Sequence, residues 1–146
     1  MNIDLELVRA ISAFGTAAGV AFAAVQLWRS KQQQILRFED EIAREYREIA
    51  RKIPVEALLG KNLNDNSEAL NSIYTYIDFC NEQIFLRKKG RIRKSTWDNW
   101  LEGIEANMKL IAFDEAWKEI HKNLPDIFTE LKRLEEEGYK SDPKRW

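Results

Sequence analysis

The first charge-free stretch of the chain runs from Ala10 to Trp28 and reads AISAFGTAAGVAFAAVQLW. Arg9 closes it on one side, and Arg29 and Lys31 close it on the other. A helix of about 19 residues covers roughly 28 Å, against a hydrocarbon core of about 30 Å. The stretch fits a bilayer when Leu5 to Val8 and Leu27–Trp28 sit near the interfaces. Its Ala and Gly content drives insertion only weakly. A cleaved secretory signal and the buried helix of a soluble protein are the competing readings. A signal carries positive charge before its apolar run and small residues at its cleavage site. Here Asp4 and Glu6 precede the run and Gln26-Leu27-Trp28-Arg29 follows it, an exit typical of an anchor with a Trp at the interface. The pattern predicts a membrane-spanning helix within residues 1–29, after a short external N-terminus.

Beyond the run the apolar period changes. Ile35, Phe38, Ile42, Tyr46 and Ile49 recur at three- and four-residue steps, the stripe of an amphipathic helix. No Pro or Gly interrupts Arg29 to Ile53, so the span is expected to run straight into this helix. Pro54 ends it, PVEALL forms a short helix, and Gly60 stops that one. KNLNDN reads as a polar loop. Ser67 is expected to cap a helix to about Lys89 with Leu70, Ile73, Tyr74, Ile77, Cys80, Ile84 and Phe85 as its apolar set. Gly90 terminates it. Ser95 or Thr96 caps the next, which carries Trp97, Trp100, Leu101, Ile104 and Met108. Asp114 caps a short helix with Trp117 and Ile120, and Pro125 opens a last one with Ile127, Phe128, Leu131 and Leu134. No strand pattern appears. The expected fold is all-α: a single N-terminal transmembrane helix continuing into a small helical cytosolic domain over 30–138, with 139–146 as a polar, frayed tail.

Charge changes the picture in two ways. The C-terminal flank of the span has Arg29, Lys31 and Arg37 against Arg9 alone on the N-terminal side. Lys and Arg favour the cytoplasmic side, so the N-terminus is expected outside and residues from 29 onward in the cytoplasm. Cys80, the one cysteine, agrees with a reducing compartment. Net charge is -1, from 23 Lys+Arg against 24 Asp+Glu. That balance excludes a globally basic nucleic-acid binder and leaves room for a local basic patch. Five Trp, four of them beyond the span, are many for a chain with a domain of about 115 residues, and several should anchor a core or an interface.

Three constellations carry candidate function. Gly15, Gly19 and Ala23, spaced four apart, form a small-residue face that suits close helix association; high Ala content produces some such matches by composition alone. The run RKKGRIRK holds Arg87, Lys88, Lys89, Arg91, Arg93 and Lys94 around a helix-breaking Gly90. It reads as an anion site for a nucleotide, a nucleic acid or an anionic lipid, strengthened when repeated around an oligomer axis. Its plainer reading is a solvated turn with cations at a helix C-terminus. Glu39, Asp40, Glu41, Glu45 and Glu48 interleave with Arg37, Arg44, Arg47 and Arg51, which reads as a salt-bridged surface; pairing of this face with a neighbouring subunit's basic run is the sharper alternative. Asp78, Asn81 and Glu82 read as buried or interfacial hydrogen-bonding residues, and Cys80 as a small core residue. No H-x-x-E or H-E-x-x-H pattern accompanies the carboxylates, and His121 is the only histidine. Neither catalysis, nor a cofactor, nor a metal is expected.

The segments FEDEIAREYREI, IPVEALLG, YIDFCNEQIFLRKKGRI and STWDNWLEGI resemble those of short bacterial proteins with one N-terminal membrane helix and a helical cytosolic domain. The layout is similar to that of membrane effectors of anti-phage defence systems, the Hailong effectors among them. The resemblance implies placement in the cell inner membrane, a homo-oligomer whose membrane helices form a pore or channel, and a cytosolic domain that senses a nucleotide or nucleic acid. Ser12, Thr16 and Gln26 are the polar side chains available to line such a pore. The alternative is a membrane-tethered helical scaffold that recruits a protein partner through Trp97, Trp100 and Trp117.

Overall fold

Pro54 and the glycines divide the chain much as their backbone restrictions require. The computed structural model describes residues 5–62 and 66–146, and only the backbone of 5, 6, 10 and 11. Asp4 and the centre of the KNLNDN loop therefore lie outside the described residues, as does the side chain of Glu6. The fold is all-α: α1 spans Leu5–Ala50, α2 Val55–Leu58, α3 Ser67–Lys88, α4 Lys94–Met108, α5 Ile111–Asn123 and α6 Thr129–Glu136, and a 3-10 turn covers Pro143–Arg145. No strand occurs among the described residues. The chain forms two compact units, 1–38 and 39–146.

The described part of the first unit, 5–38, is one stretch of α1. It belongs to a helix long and apolar enough to cross a membrane. Every side chain from Ser12 to Ser30 is exposed, including Phe14, Val20, Phe22 and Leu27. Large apolar side chains gain about 1.5–3 kcal/mol each when removed from water, so this surface calls for an apolar surrounding. The Thr16 hydroxyl donates to the Ser12 carbonyl at 2.9 Å, which satisfies it within the helix.

The second unit is built on α3, which packs against α5, α6 and the 3-10 turn. Its buried face differs from the expected one. Ile73, Ile77, Cys80 and Ile84 are buried as read, but Tyr74 and Phe85 are exposed, and Tyr76, Phe79, Gln83, Leu86 and Arg87 take the inner positions. Trp97, Phe113, Leu131 and Leu134 complete the centre without solvent exposure. Tyr76 lies edge-on to Phe113, with ring centroids 5.3 Å apart.

Helix starts correct several sequence expectations. The cap of α3 is Asn66, not Ser67: its Oδ1 accepts from the Glu68 and Ala69 amides at 3.1 Å. Ser95, Thr96 and Asp114 lie inside their helices. Instead α4 and α6 receive side chains from elsewhere in the fold. The Glu39 carboxylate accepts from the Arg93 amide at 3.0 Å, and Asn81 accepts from the Glu130 and Leu131 amides at 3.1 Å. Asn81 thus makes the backbone contacts expected of it, whereas Asp78 and Glu82 are exposed. Pro125 does not open α6. Phe128 precedes that helix in a left-handed conformation, φ 56°, held with its ring edge-on to Tyr74.

The segment 139–146 is not frayed. Gly138, at φ 64°, turns the chain out of α6 in the left-handed region that glycine tolerates. Pro143 is buried, Asp142 pairs with Arg87, and the Arg133 guanidinium lies 4.4 Å from the Trp146 ring centre. Apolar and ionic contacts supply what a polar tail read in isolation lacks.

Candidate functional site

The basic run begins at the C-terminus of α3, where Gly90 adopts φ 71°. The Gly90 amide donates to the Arg87 carbonyl at 2.9 Å and the Arg91 amide to the Leu86 carbonyl at 3.0 Å. This pair of bonds closes a helix end with a left-handed residue. The chain then turns at once into α4, so six cations crowd around one corner.

The structure sorts these cations. Arg87 faces inward, with only 5% of its side chain exposed. Its Nε and Nη2 donate to the two Asp142 oxygens at 2.7 and 2.5 Å, and Nη1 donates to the Ile92 carbonyl at 2.7 Å. Arg87 therefore leaves the expected anion site, because a bidentate carboxylate already holds it. Lys88 reaches Glu130 at 2.8 Å. Arg93 engages Glu39 through Nε and Nη2, and Lys94 pairs with Asp98. Lys89 lies over the Phe85 ring, 5.2 Å from its centre. Lys89 and Arg91 are exposed and carry no carboxylate partner among the described residues. The outward unpaired positive charge of the run thus centres on these two, with Arg93 and Lys94 exposed beside them but paired to carboxylates.

Glu39 is the organising anion of this corner. It is buried and also accepts from the Thr96 hydroxyl at 2.9 Å. Burial pushes its carboxyl up, but the bonds from the Arg93 side chain and amide and from Thr96 outweigh that and hold it below its ordinary value. Glu39, at the start of the acidic segment, thus pairs with Arg93 of the basic run within one chain. Among the described residues, Glu41, Glu45 and Glu48 form no ion pair with Arg44, Arg47 or Arg51. The salt-bridged surface expected on that stretch is thus not formed there.

Asp142 is likewise held below its ordinary value, by the Arg87 guanidinium foremost, against burial, with help from the Lys144 amide. Both groups release their protons more readily folded than unfolded. The stability they contribute is full above their unfolded values, 4.5 for Glu39 and 3.8 for Asp142, and drains as pH falls through the lower folded values. The urea midpoint is expected to drop between about pH 5 and pH 3, and to drop less in a Glu39→Gln, Asp142→Asn double variant. Equal pH slopes in the two proteins would contradict this assignment.

The small-residue face of the N-terminal apolar helix is unobstructed. A Cβ added at Gly15 or Gly19 meets nothing within 4 Å, and Ala23 is exposed. The aromatic surface expected for a scaffold is mostly internal. Trp97 and Trp117 are buried and Trp100 is half-buried. The Trp117 indole donates to Glu135 at 2.8 Å. Burial pushes the Cys80 thiol up to about 12, against a hydrogen bond with Tyr76, so it stays protonated at neutral pH and behaves as the core residue expected.

Sequence reasoning missed a cavity of about 340 Å³ among α1, α3 and α4, within the second unit. Tyr46, Gln83 and Trp100 are among its walls. The available signal was Gln83, a polar residue at a buried position of the α3 period. No protein-family model matches the chain, and no match is found among curated proteins or solved structures.

Proposed function

We propose that the protein is a single-pass membrane effector. Its N-terminal run crosses the inner membrane with the N-terminus outside and the helical domain in the cytoplasm. Copies associate through Gly15, Gly19 and Ala23, and the domain answers an anionic ligand at the exposed part of the basic run. The observation that carries the reading is the fully exposed, uncharged face-all-round helix from Ser12 to Trp28. A helix apolar on every side belongs in a protein core or a bilayer, and no residue of this stretch is buried. The charge bias at Arg29, Lys31 and Arg37 supports the orientation.

A pore is the further part of the proposal. Ser12, Thr16 and Gln26 would line it, and the anti-phage role implied by the resemblance would use it. The scaffold alternative would have to rely on Trp100 and the exposed Val55, Leu58 and Leu59, since Trp97 and Trp117 are internal.

Reconstitution in liposomes tests the assembly. Wild type is expected to run as an oligomer in detergent and to pass ions across liposomes. Gly19→Leu is expected to lose both, because a large side chain holds the helices apart. Changing Lys89 and Arg91 to Ala should weaken binding to anionic vesicles and oligonucleotides in a salt-dependent manner. Recovery of the full chain in a detergent-free soluble fraction would reject the span. An oligomer without ion flux would favour the scaffold.

A further inference from the structure

The cavity among α1, α3 and α4 holds a combination of groups that the membrane reading does not use. Its volume, about 340 Å³, lies at the lower end of the range of small-molecule sites, about 300–1,000 Å³. Tyr46 of α1 and Trp100 of α4 are aromatic residues of its lining. The Tyr46 ring is fixed from behind, stacked on Phe79 with centroids 6.2 Å apart and tilted against Tyr76 at 6.4 Å. Gln83 lies on the α3 wall with 5% of its surface exposed, yet its amide makes no hydrogen bond within the chain. The Gln83 amide reaches solvent through the cavity, so its donor and acceptor are available to a molecule that enters it. Arg47 and Asn99 also line the cavity, are exposed and have no partner of their own.

These groups define a ligand by their chemistry. A side-chain amide offers one donor and one acceptor side by side and matches a planar heterocycle with the complementary pair on its edge, as Gln and Asn match adenine. Aromatic walls take the flat faces of such a ring. A free guanidinium at the same cavity takes a negative charge, phosphate above all. We infer that the cavity is a binding site for a single nucleoside monophosphate, with the base edge on Gln83, the base faces between Tyr46 and Trp100, and the phosphate toward Arg47. The site is separate from the basic run and does not depend on the membrane reading. Its volume suits one base rather than a strand.

Titration calorimetry on the full chain in detergent micelles tests it, with AMP, GMP, CMP and UMP as ligands. Adenosine, ribose 5-phosphate and indole-3-acetate serve as controls lacking the phosphate, the base and the complementary edge. At least one nucleotide is expected to saturate the protein below about 1 mM, with each control weaker. Gln83→Leu keeps the volume and removes the amide, and should weaken binding about ten-fold or more. Gly103 also lines the cavity, and a Cβ there meets nothing within 4 Å. Gly103→Leu should therefore fold and fill the space, abolishing binding with an unchanged helical circular-dichroism melt. That second variant decides the matter if Gln83→Leu fails to fold. No saturable binding by any nucleotide, or binding that survives Gly103→Leu, would overturn the assignment. So would indole-3-acetate binding as tightly as the best nucleotide, since the edge would then carry no recognition.

Discussion

Asp142→Ala will lower the stability of the helical domain by about 3 kcal/mol. The Arg87 guanidinium, 5% exposed, loses both bonds of its bidentate partner and keeps only the Ile92 carbonyl. Breaking a buried pair by removing one member costs about 3–5 kcal/mol, because the remaining charge stays buried. The lower end applies here, since Asp142 is 13% exposed and one neutral acceptor remains. At roughly 4–8 °C per kcal/mol for a domain of this size, the melting temperature should fall by about 15 °C. Lys94→Ala removes an exposed i,i+4 pair with Asp98 and should cost under about 0.5 kcal/mol. Thermal melts of the two variants compare them directly. Equal small losses in both would mean that the tail does not hold Arg87 in solution.

Trp97→Ala is expected to cost about 3–5 kcal/mol, the range for deleting a buried large aromatic. Trp97 is fully buried in α4. Its indole Nε1 finds no acceptor among the described residues. An unpaired buried donor costs about 1–3 kcal/mol in the native protein. Trp97→Phe removes that donor while keeping much of the ring, so it should cost far less than Trp97→Ala. Urea titrations of the three proteins test the order. If Phe destabilises as much as Ala, the indole nitrogen has a partner that matters.

Much of the helical layout was legible because apolar residues three and four apart report one helix face. Pro54, Gly60 and Gly90 mark boundaries by backbone restriction alone. The contents of the α3 face were less legible. Tyr76, Gln83 and Arg87 follow the same period as Ile73, Ile77, Cys80 and Ile84, yet two of them are polar, and Arg87 reads as part of the basic run. Their burial depends on Asp142 and on the cavity, which no local window contains. The caps of α4 and α6 were illegible for the same reason, while that of α3 was misplaced by one residue. Ser67, Thr96 and Asp114 are good local candidates, but Asn66 lies one residue earlier than Ser67, and Glu39 and Asn81 act from other helices. The basic run was visible as composition, whereas its division into inward Arg87 and outward Lys89 and Arg91 required the carboxylates opposite. The cavity left one trace, an amide on an apolar face, and a single Gln does not say whether it meets a neighbour or empty space.

Three of the long-range polar contacts also set an order of events during synthesis. Glu39 contacts the Arg93 amide across 54 residues, Asn81 contacts Glu130 across 49, and Arg87 contacts Asp142 across 55. A ribosome adds about 5–20 residues per second, so each half of such a clasp waits about 3–11 s for the other to be made. The uncharged run from Ala10 to Trp28 is complete before Glu39 is even added. Its partition between water and lipid is therefore decided while the domain is still an open chain. Insertion, where it occurs, does not have to work against a folded domain, and that domain closes only after the decision has been taken.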